Sequence, residues 1–181
     1  MLIISDLNNI PPLPQPCGLT VGSFDGVHLG HLALLRHLRG KIGPNGTLAV
    51  LTFSNHPAEY FGRPVRLICS LEERLKLLKQ AGVNLVILLE FNKELASKTY
   101  DQFLSEIHQK FPFSYLVLGK GSAFGYQRQG TEENIKKLNY FNSDYIDKTT
   151  IDGEVVSSGK IRKYLEEKNM PAASKLLGRP L

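Results

Sequence analysis

Two histidines that stand three residues apart close a glycine-rich segment, Gly22-Ser-Phe-Asp-Gly-Val-His28-Leu-Gly-His31. At the start of a helix, side chains with this spacing lie on one face. Glycine at positions 22, 26 and 30 lets the backbone approach a phosphate closely, and a helix N-terminus attracts anions. The segment predicts a triphosphate site in which the imidazoles stabilise charge that develops on bridging oxygens, without any covalent nucleophile. The alternative is a loop that merely carries two exposed histidines.

A second candidate lies near the other end of the chain, in Val155-Val-Ser-Ser-Gly-Lys-Ile-Arg162. Taken alone, Ser157 and Ser158 are better explained as caps of the following helix. The functional interpretation is a second phosphate cradle, in which hydroxyls and free backbone N–H groups act together with Lys160 and Arg162 as cationic donors.

Two further segments follow predicted strands. In Thr52-Phe-Ser-Asn-His-Pro57, Asn55 and His56 would emerge at the same sheet edge as the first motif, although a loop stopped by proline is the better explanation of this segment taken alone. The segment 118–130 has four glycines in thirteen residues, with Phe124, Tyr126 and Arg128 among them. Such a loop can pack against a ring and contact a phosphate, or the glycines can serve only as turns.

The elements that position these motifs alternate between apolar strands and amphipathic helices. We predict strands at Leu19–Phe24, Leu48–Phe53, Asn84–Phe91, Tyr115–Leu118 and Tyr145–Ile151. We predict helices over 32–38, ending at Gly40, and over 71–78, Tyr100–Lys110, Thr131–Tyr140, Ser157–Asn169 and Pro171–Leu177. This alternation predicts a doubly wound α/β domain with a parallel sheet and helices on both faces. Ligands of such sheets bind beyond the carboxyl ends of the strands, where the first motif falls.

The composition of the chain indicates the kind of binding partner and the cellular compartment that we expect. The 22 Lys and Arg residues exceed the 17 Asp and Glu residues, and the net charge of +5 mildly favours a polyanionic partner such as a nucleotide. Cys17 and Cys69 are flanked by apolar residues, so we expect buried free thiols in a reducing compartment. The N-terminal residues lack the pattern of a signal peptide. No apolar segment reaches the roughly 20 residues of a membrane span, so we expect a cytoplasmic protein without a membrane partner. Residues 1–16, rich in proline from position 11, are expected to form an extended lead-in.

In their order and spacing these motifs resemble the bacterial FAD synthases, specifically the N-terminal FMN adenylyltransferase module, a Rossmann-like nucleotidyltransferase with the HxGH signature. The resemblance also covers Phe61, Arg66-Leu67, Ser70-Leu-Glu-Glu-Arg-Leu75 and Leu176-Leu-Gly-Arg-Pro180. It implies transfer of AMP from ATP to FMN with release of pyrophosphate, assisted by Mg²⁺, and no nucleic-acid partner. It also implies that residues 1–181 form a single domain, in which the riboflavin kinase module and its activity are absent.

The resemblance implies roles for individual residues. His28, His31 and Arg162 would be catalytic. The nucleotide would contact Gly22, Ser23, Phe24, Asp25, Gly30, Ser157, Ser158 and Lys160. The flavin would contact Asn55, His56, Pro57, Phe61, Arg66, Phe124 and Arg128. No metal ligand is predicted.

The chain departs from the family pattern at several positions. Gly159 and Lys160 stand where the family usually has threonine and arginine, so one hydroxyl and one forked guanidinium are missing. Asn55 replaces a proline, and Gly121 with Ser122 replaces an acidic or amide residue and an aromatic one. A non-catalytic flavin- or nucleotide-binding module, or a nucleotidyltransferase for another phosphorylated acceptor, are therefore alternatives.

Overall fold

A six-stranded parallel sheet forms the centre of the computed structural model, which describes all 181 residues. Its strands are β1 (Leu2–Ile4), β2 (Cys17–Val21), β3 (Thr47–Phe53), β4 (Leu85–Leu89), β5 (Tyr115–Gly119) and β6 (Asn142–Ile146). They are ordered β1-β4-β3-β2-β5-β6. The strand order therefore switches at β2, which pairs with β3 on one side and with β5 on the other.

Eight helices surround or follow the sheet: α1 (Leu29–Ile42), α2 (Pro57–Tyr60), α3 (Leu71–Gln80), α4 (Lys93–Ser97), α5 (Tyr100–Lys110), α6 (Glu132–Lys136), α7 (Ser158–Glu166) and α8 (Met170–Leu177). Single 3₁₀ turns occur at Leu7–Asn9 and Tyr126–Arg128. A short antiparallel hairpin of β7 (Thr150–Ile151) and β8 (Glu154–Val155) precedes α7. None of the helices combines the length and the apolar character that crossing a membrane requires.

The two faces of the sheet are covered by different helices, as predicted. Along β3, Leu48 and Val50 pack in a cluster with α1 and α3, whereas Ala49 and Leu51 pack in a cluster with α5. All seven residues of β3 are buried, as expected for a central parallel strand that has helices on both faces. The doubly wound α/β architecture is confirmed.

A smaller third cluster joins α7 and α8 to the start of α1. Its buried residues are Val156, Ile161, Ala173, Leu176 and Leu177, and Leu29 and Ile68 pack against it. This contact places the two closing helices beside the segment that follows β2. Both cysteines are buried and free, which confirms that expectation.

Several predicted boundaries were wrong. The strand predicted over Tyr145–Ile151 is β6, which ends at Ile146 because its partner β5 ends opposite, at Gly119. The helix predicted over Thr131–Tyr140 ends at Lys136, where bonds between residues three apart close the last turn. Local periodicity carries no information about where a neighbouring strand turns away.

The C-terminal ends of β2 and α1, the two elements next to the first motif, also differ from the prediction. β2 stops at Val21, and Phe24 has a left-handed φ of 51° that no strand accommodates. Helix α1 continues beyond Gly40 to Ile42, because Ile42 is buried, and it ends at Gly43 with a φ of 71°. Within the lead-in, β1 pairs in parallel with β4 at one edge of the sheet.

Candidate active site

Two helix N-termini meet at the carboxyl end of β2. His28 caps α1, and its Nδ1 accepts a hydrogen bond from the backbone N–H of His31 at 3.3 Å. Ser157 caps α7 in the same way, accepting from the backbone N–H of Lys160 at 3.2 Å. Ser158 then joins the two, because its hydroxyl donates to the carbonyl of Asp25 at 3.0 Å. The first and second predicted motifs therefore form one site, at the switch in strand order.

The two histidine rings are stacked, with centroids 3.6 Å apart and planes 13° from parallel. Burial lowers the pKa of His28 to about 4, and it lowers the pKa of His31 well below its usual value, an effect to which His28 adds. Both rings are therefore neutral at pH 7. Because Nδ1 of His28 accepts a hydrogen bond, its single proton lies on Nε2, where it can donate to a ligand.

The turn that carries these histidines has an unusual backbone. Phe24 and Val27 have φ values of 51° and 37°, a region that residues other than glycine seldom adopt. Each side chain is only 2% exposed, so burial of apolar surface offsets the strain. Gly26 lies between them with a φ of 79°, and a Cβ there would stand 2.8 Å from Ile68. A strained turn held by packing is a frequent feature of ligand sites.

Asp25 is 2% exposed, and its carboxylate faces the protein interior. It accepts from the backbone N–H groups of Ile68 and Cys69 at 3.0 and 3.4 Å. Its Oδ2 also lies 2.7 Å from Nη2 of Arg162. A buried carboxylate requires such partners.

Arg162 connects the phosphate side of the site with the segment that follows β3. Besides Asp25, its Nε donates to the carbonyl of Arg66 at 3.1 Å, and its Nη2 lies 3.4 Å from Nε2 of His56. Burial and the charge of Arg162 lower the pKa of His56. The structure thus brings His56 and the backbone of Arg66 to the predicted catalytic arginine.

Lys160 is oriented differently from the expectation of a free cation at the phosphate cradle. Its Nζ lies 2.6 Å from Oε1 of Glu154 and 5.2 Å from the ring centroid of Tyr164. The Tyr164 hydroxyl donates to the same carboxylate at 2.5 Å. The neighbouring Gly159 is exposed, and a Cβ there would meet no atom within 4 Å. In this arrangement the charge of Lys160 is neutralised by the hairpin.

The predicted flavin residues after β3 form an open surface. Asn55 pairs with the backbone of Phe91 through two hydrogen bonds of 2.8 and 2.9 Å, a contact that fixes the loop. Pro57 begins α2, a position that suits proline. Phe61 is 61% exposed and contacts Tyr60 and Phe91 edge-on, with ring centroids 5.1 and 5.8 Å away. The Arg66 side chain is also exposed.

The loop after β5 is docked on α5. Phe124 packs against Phe103, with ring centroids 5.7 Å apart, and the loop backbone crosses closely over Tyr100 at Gly125 and Gly130. Arg128 is exposed and has a left-handed φ of 59°. Neither the hydrogen bonds nor the ring contacts of this loop reach the histidines, so the structure does not bring Phe124 and Arg128 into direct contact with the rest of the site.

One residue of the site had no predicted role. Arg74 in α3 is 6% exposed, and it donates to the carbonyl of Ser23 at 2.7 Å and to that of Phe53 at 2.8 Å. It thereby ties the first motif to the end of β3. The signal was present, because Arg74 falls on the apolar stripe of Leu71, Leu75 and Leu78, where an arginine must have buried partners.

The residues do not form a protein-held metal site. No group of three or more His, Cys, Asp or Glu side chains is placed to hold a metal ion. The buried carboxylate of the site, Asp25, is already paired with Arg162.

Comparison with known proteins supplies the family. The FAD synthetase family model matches residues 10–160. This chain belongs to the FAD synthetase family. Among curated relatives, the bifunctional riboflavin kinase/FMN adenylyltransferase of Haemophilus influenzae is 35% identical, over 99% of this chain and 61% of the relative. The protein of the same name from Escherichia coli K12 is 33% identical, over 99% of this chain and 60% of the relative. The chain thus spans about three fifths of the length of these relatives.

Solved structures agree on the fold of this FAD synthetase family member. A Streptococcus pneumoniae structure named as a macrolide-efflux protein superimposes with a TM-score of 0.87 at 27% identity, covering 99% of this chain and 60% of its own. Pantoate-beta-alanine ligase from Francisella tularensis, in complex with an ATP form and beta-alanine, has a TM-score of 0.58 at 15% identity, covering 96% and 85%. The second likeness shows the fold alone, which is the Rossmann-like nucleotidyltransferase fold.

Proposed function

We propose that residues 1–181 act as one FMN adenylyltransferase unit, which transfers AMP from ATP to FMN and yields FAD and pyrophosphate. The observation that carries the proposal is the stack of neutral His28 and His31 at the N-terminus of α1, facing the start of α7. Two helix N-termini that converge on one point provide backbone N–H groups and positive dipole ends for a triphosphate. Family membership supports ATP and FMN as the two substrates.

The proposed reaction is an in-line displacement at the α-phosphorus of ATP. A phosphate oxygen of FMN forms the new P–O bond, and the bond to the β-phosphate breaks, leaving its electron pair on pyrophosphate. Negative charge therefore grows on the bridging oxygen, where Nε2–H of His28 would donate a hydrogen bond. A neutral imidazole performs this donation without titrating near pH 7. Positioning and charge stabilisation account for most of the catalysis in such reactions.

The flavin would occupy the surface beside α2. Tyr60, Phe61 and Phe91 offer exposed or partly exposed rings, against which a planar ring system can stack or pack edge-on. Arg66 is close by and exposed, and it would meet the FMN phosphate. Phe124 and Arg128 would approach the flavin from the loop after β5.

Mg²⁺ is not held by a set of side chains here. Since Mg²⁺ is commonly bound through substrate phosphates, we expect it to accompany ATP, and no step above depends on it. We further expect the protein to act in the cytoplasm, with no nucleic acid as a partner.

A non-catalytic module that only binds nucleotide or flavin is the second candidate. The pairing of Lys160 with Glu154 and the absence of a hydroxyl at Gly159 favour it, because both weaken the phosphate side of the site. Intact His28 and His31 favour catalysis. A transferase for another phosphorylated acceptor is a third candidate, which Gly121 and Asn55 would permit.

A chromatographic assay separates these candidates. The purified chain is incubated with ATP, Mg²⁺ and a panel of phosphorylated acceptors that includes FMN, and riboflavin serves as the acceptor for kinase activity. We expect FAD and pyrophosphate in equal amounts from FMN. Normal FMN binding without FAD formation would exclude catalysis and support the non-catalytic binding module. AMP transfer only to another acceptor would support the third candidate.

A further inference from the structure

The segment Leu176-Leu-Gly-Arg-Pro180 has no assigned role, yet it lies directly behind the first motif. Helix α8 ends at Leu177, and Gly178 continues the chain in a left-handed conformation with a φ of 72°. A Cβ at Gly178 would overlap the side chain of Leu29, the first residue of α1. This close approach requires glycine, and it directs Arg179 toward the turn before His28.

Arg179 contacts the most strained part of that turn. Its Nη1 donates to the carbonyl of Val27 at 3.3 Å. Val27 is β-branched, has a φ of 37° and immediately precedes His28. A hydrogen bond from a charged donor to this carbonyl helps to hold a conformation that the residue seldom adopts by itself.

We infer that Arg179 is a positioning residue for adenylyl transfer: by holding the Val27 carbonyl it sets the direction in which the His28 ring faces the ligand. The kinetic part of this inference rests on the proposed function. The structural part, that Arg179 orients the His28 ring through the Val27 carbonyl, does not depend on the proposed function. It can therefore be tested in the protein without any ligand.

The surrounding charges support the inference. Among the charged groups near His28, Asp25 on the turn raises its pKa, whereas Arg179 beyond α8 and Arg162 on α7 lower it. Burial is the largest cause of its lowered pKa, and the positive charge of Arg179 lowers the pKa further. Arg179 thus favours the neutral imidazole that donates from Nε2.

The space around Arg179 makes a clean substitution possible. It lines a cavity of about 530 Å³ between α1, α3 and α8, which Val27 and Gly178 also border. Truncation of the side chain would admit water to the Val27 carbonyl instead of collapsing the core. Arg36 lines the same cavity and is exposed, with no hydrogen bond to the turn, and is therefore a matched control.

The test compares Arg179→Met, Arg179→Lys and Arg36→Met by steady-state kinetics and by NMR titration of His28 in the ligand-free protein. For Arg179→Met we expect kcat to fall roughly 10- to 100-fold, the range for a lost charged hydrogen bond. The KM for FMN should stay within about twofold, and the pKa of His28 should rise. Arg179→Lys should recover most of kcat and keep the pKa low, and Arg36→Met should match the parent.

Two results would overturn the inference. One is a parental kcat together with a parental His28 titration in Arg179→Met. The other is a loss of activity that follows only the folded fraction, with the His28 titration unchanged. If the parent forms no FAD, the proposed function fails, and the His28 titration still decides the role of Arg179.

Discussion

Asp25 and Arg162 form an ion pair with 2.7 Å between Oδ2 and Nη2, although 137 positions separate them in the chain. Asp25 is buried on the turn after β2, and Arg162 is the fifth residue of α7. The pair therefore holds the two halves of the proposed phosphate site together. In this arrangement the buried carboxylate orients the arginine.

Removal of Arg162 should strongly destabilise the fold. Arg162→Met leaves the Asp25 carboxylate buried without its ion-pair partner, a change that typically costs about 3–5 kcal/mol. Urea unfolding measures the loss, and Lys163→Met on the exposed side of the same helix is the control. The double variant Asp25→Asn with Arg162→Met should recover part of the stability. A double variant no more stable than Arg162→Met would show that the pair is not the cause.

His28→Ala should lower kcat on the order of 10²–10³-fold, by analogy with the loss of one oxyanion-hole donor. In the proposed mechanism the donor at Nε2 would contact charge that develops only in the transition state, so its loss would slow the reaction. Steady-state FAD formation measures it. His37→Gln is the control, because His37 lies in the helix that His28 caps and pairs with Asp144, which has no contact with the site residues described above. An His28→Ala variant as active as the parent would exclude the mechanism.

Stability should fall as the pH drops from about 6.5 toward 4. The folded state holds His28 neutral with a pKa of about 4, against an ordinary value of 6.5. Above pH 6.5 the ring is neutral in both states, and its contribution is fully present. Between these two pH values only the unfolded state binds the proton. The free energy of unfolding therefore falls by up to roughly 3 kcal/mol on acidification.

Thermal unfolding across this range measures that loss. His28→Asn is the matched variant, because asparagine can still cap α1 and does not titrate. Its Tm should depend less on pH than that of the parent between 6.5 and 4. Equal slopes for the two proteins would contradict the lowered pKa.

Arg74→Met should destabilise the protein by about 3 kcal/mol, because the carbonyls of Ser23 and Phe53 each lose a charged donor. Lys76→Met, an exposed position on the same helix, should change stability by less than about 0.5 kcal/mol. Chemical denaturation of both variants gives the comparison. Equal losses would indicate that Arg74 has no special role in fixing the turn.

Gly159→Thr should strengthen binding of ATP. A Cβ at Gly159 meets no atom within 4 Å, so the new side chain fits and places a hydroxyl at the start of α7. We expect the KM for ATP to fall by about 5-fold, which corresponds to one ordinary hydrogen bond. Gly159→Ala adds the Cβ without the hydroxyl and should leave the KM near that of the parent. If alanine lowers the KM equally, helix propensity and not the hydroxyl is responsible.

Much of the fold was accessible from local patterns. The helix over Tyr100–Lys110 has the predicted bounds, and the strands β3, β4 and β5 lie within or close to the predicted ranges. The edge strand Leu2–Ile4 was treated as part of a lead-in, because three residues carry no periodicity that could reveal a partner. Its pairing with β4 depends on contacts more than 80 residues away, which a local pattern does not describe.

The sequence by itself determined the alternation of strands and helices, the cap that begins α7, and the placement of His28 and His31 on one helix face. These features depend on periodicity and capping over a few neighbouring residues. Only the tertiary structure decided that the rings are neutral, that Lys160 pairs with Glu154, and that Arg162, Arg74 and Arg179 support the turn from three different elements. Ionisation and ion pairing depend on burial and on distances between residues far apart in the chain. Burial and these distances are set only when the chain packs into its tertiary structure.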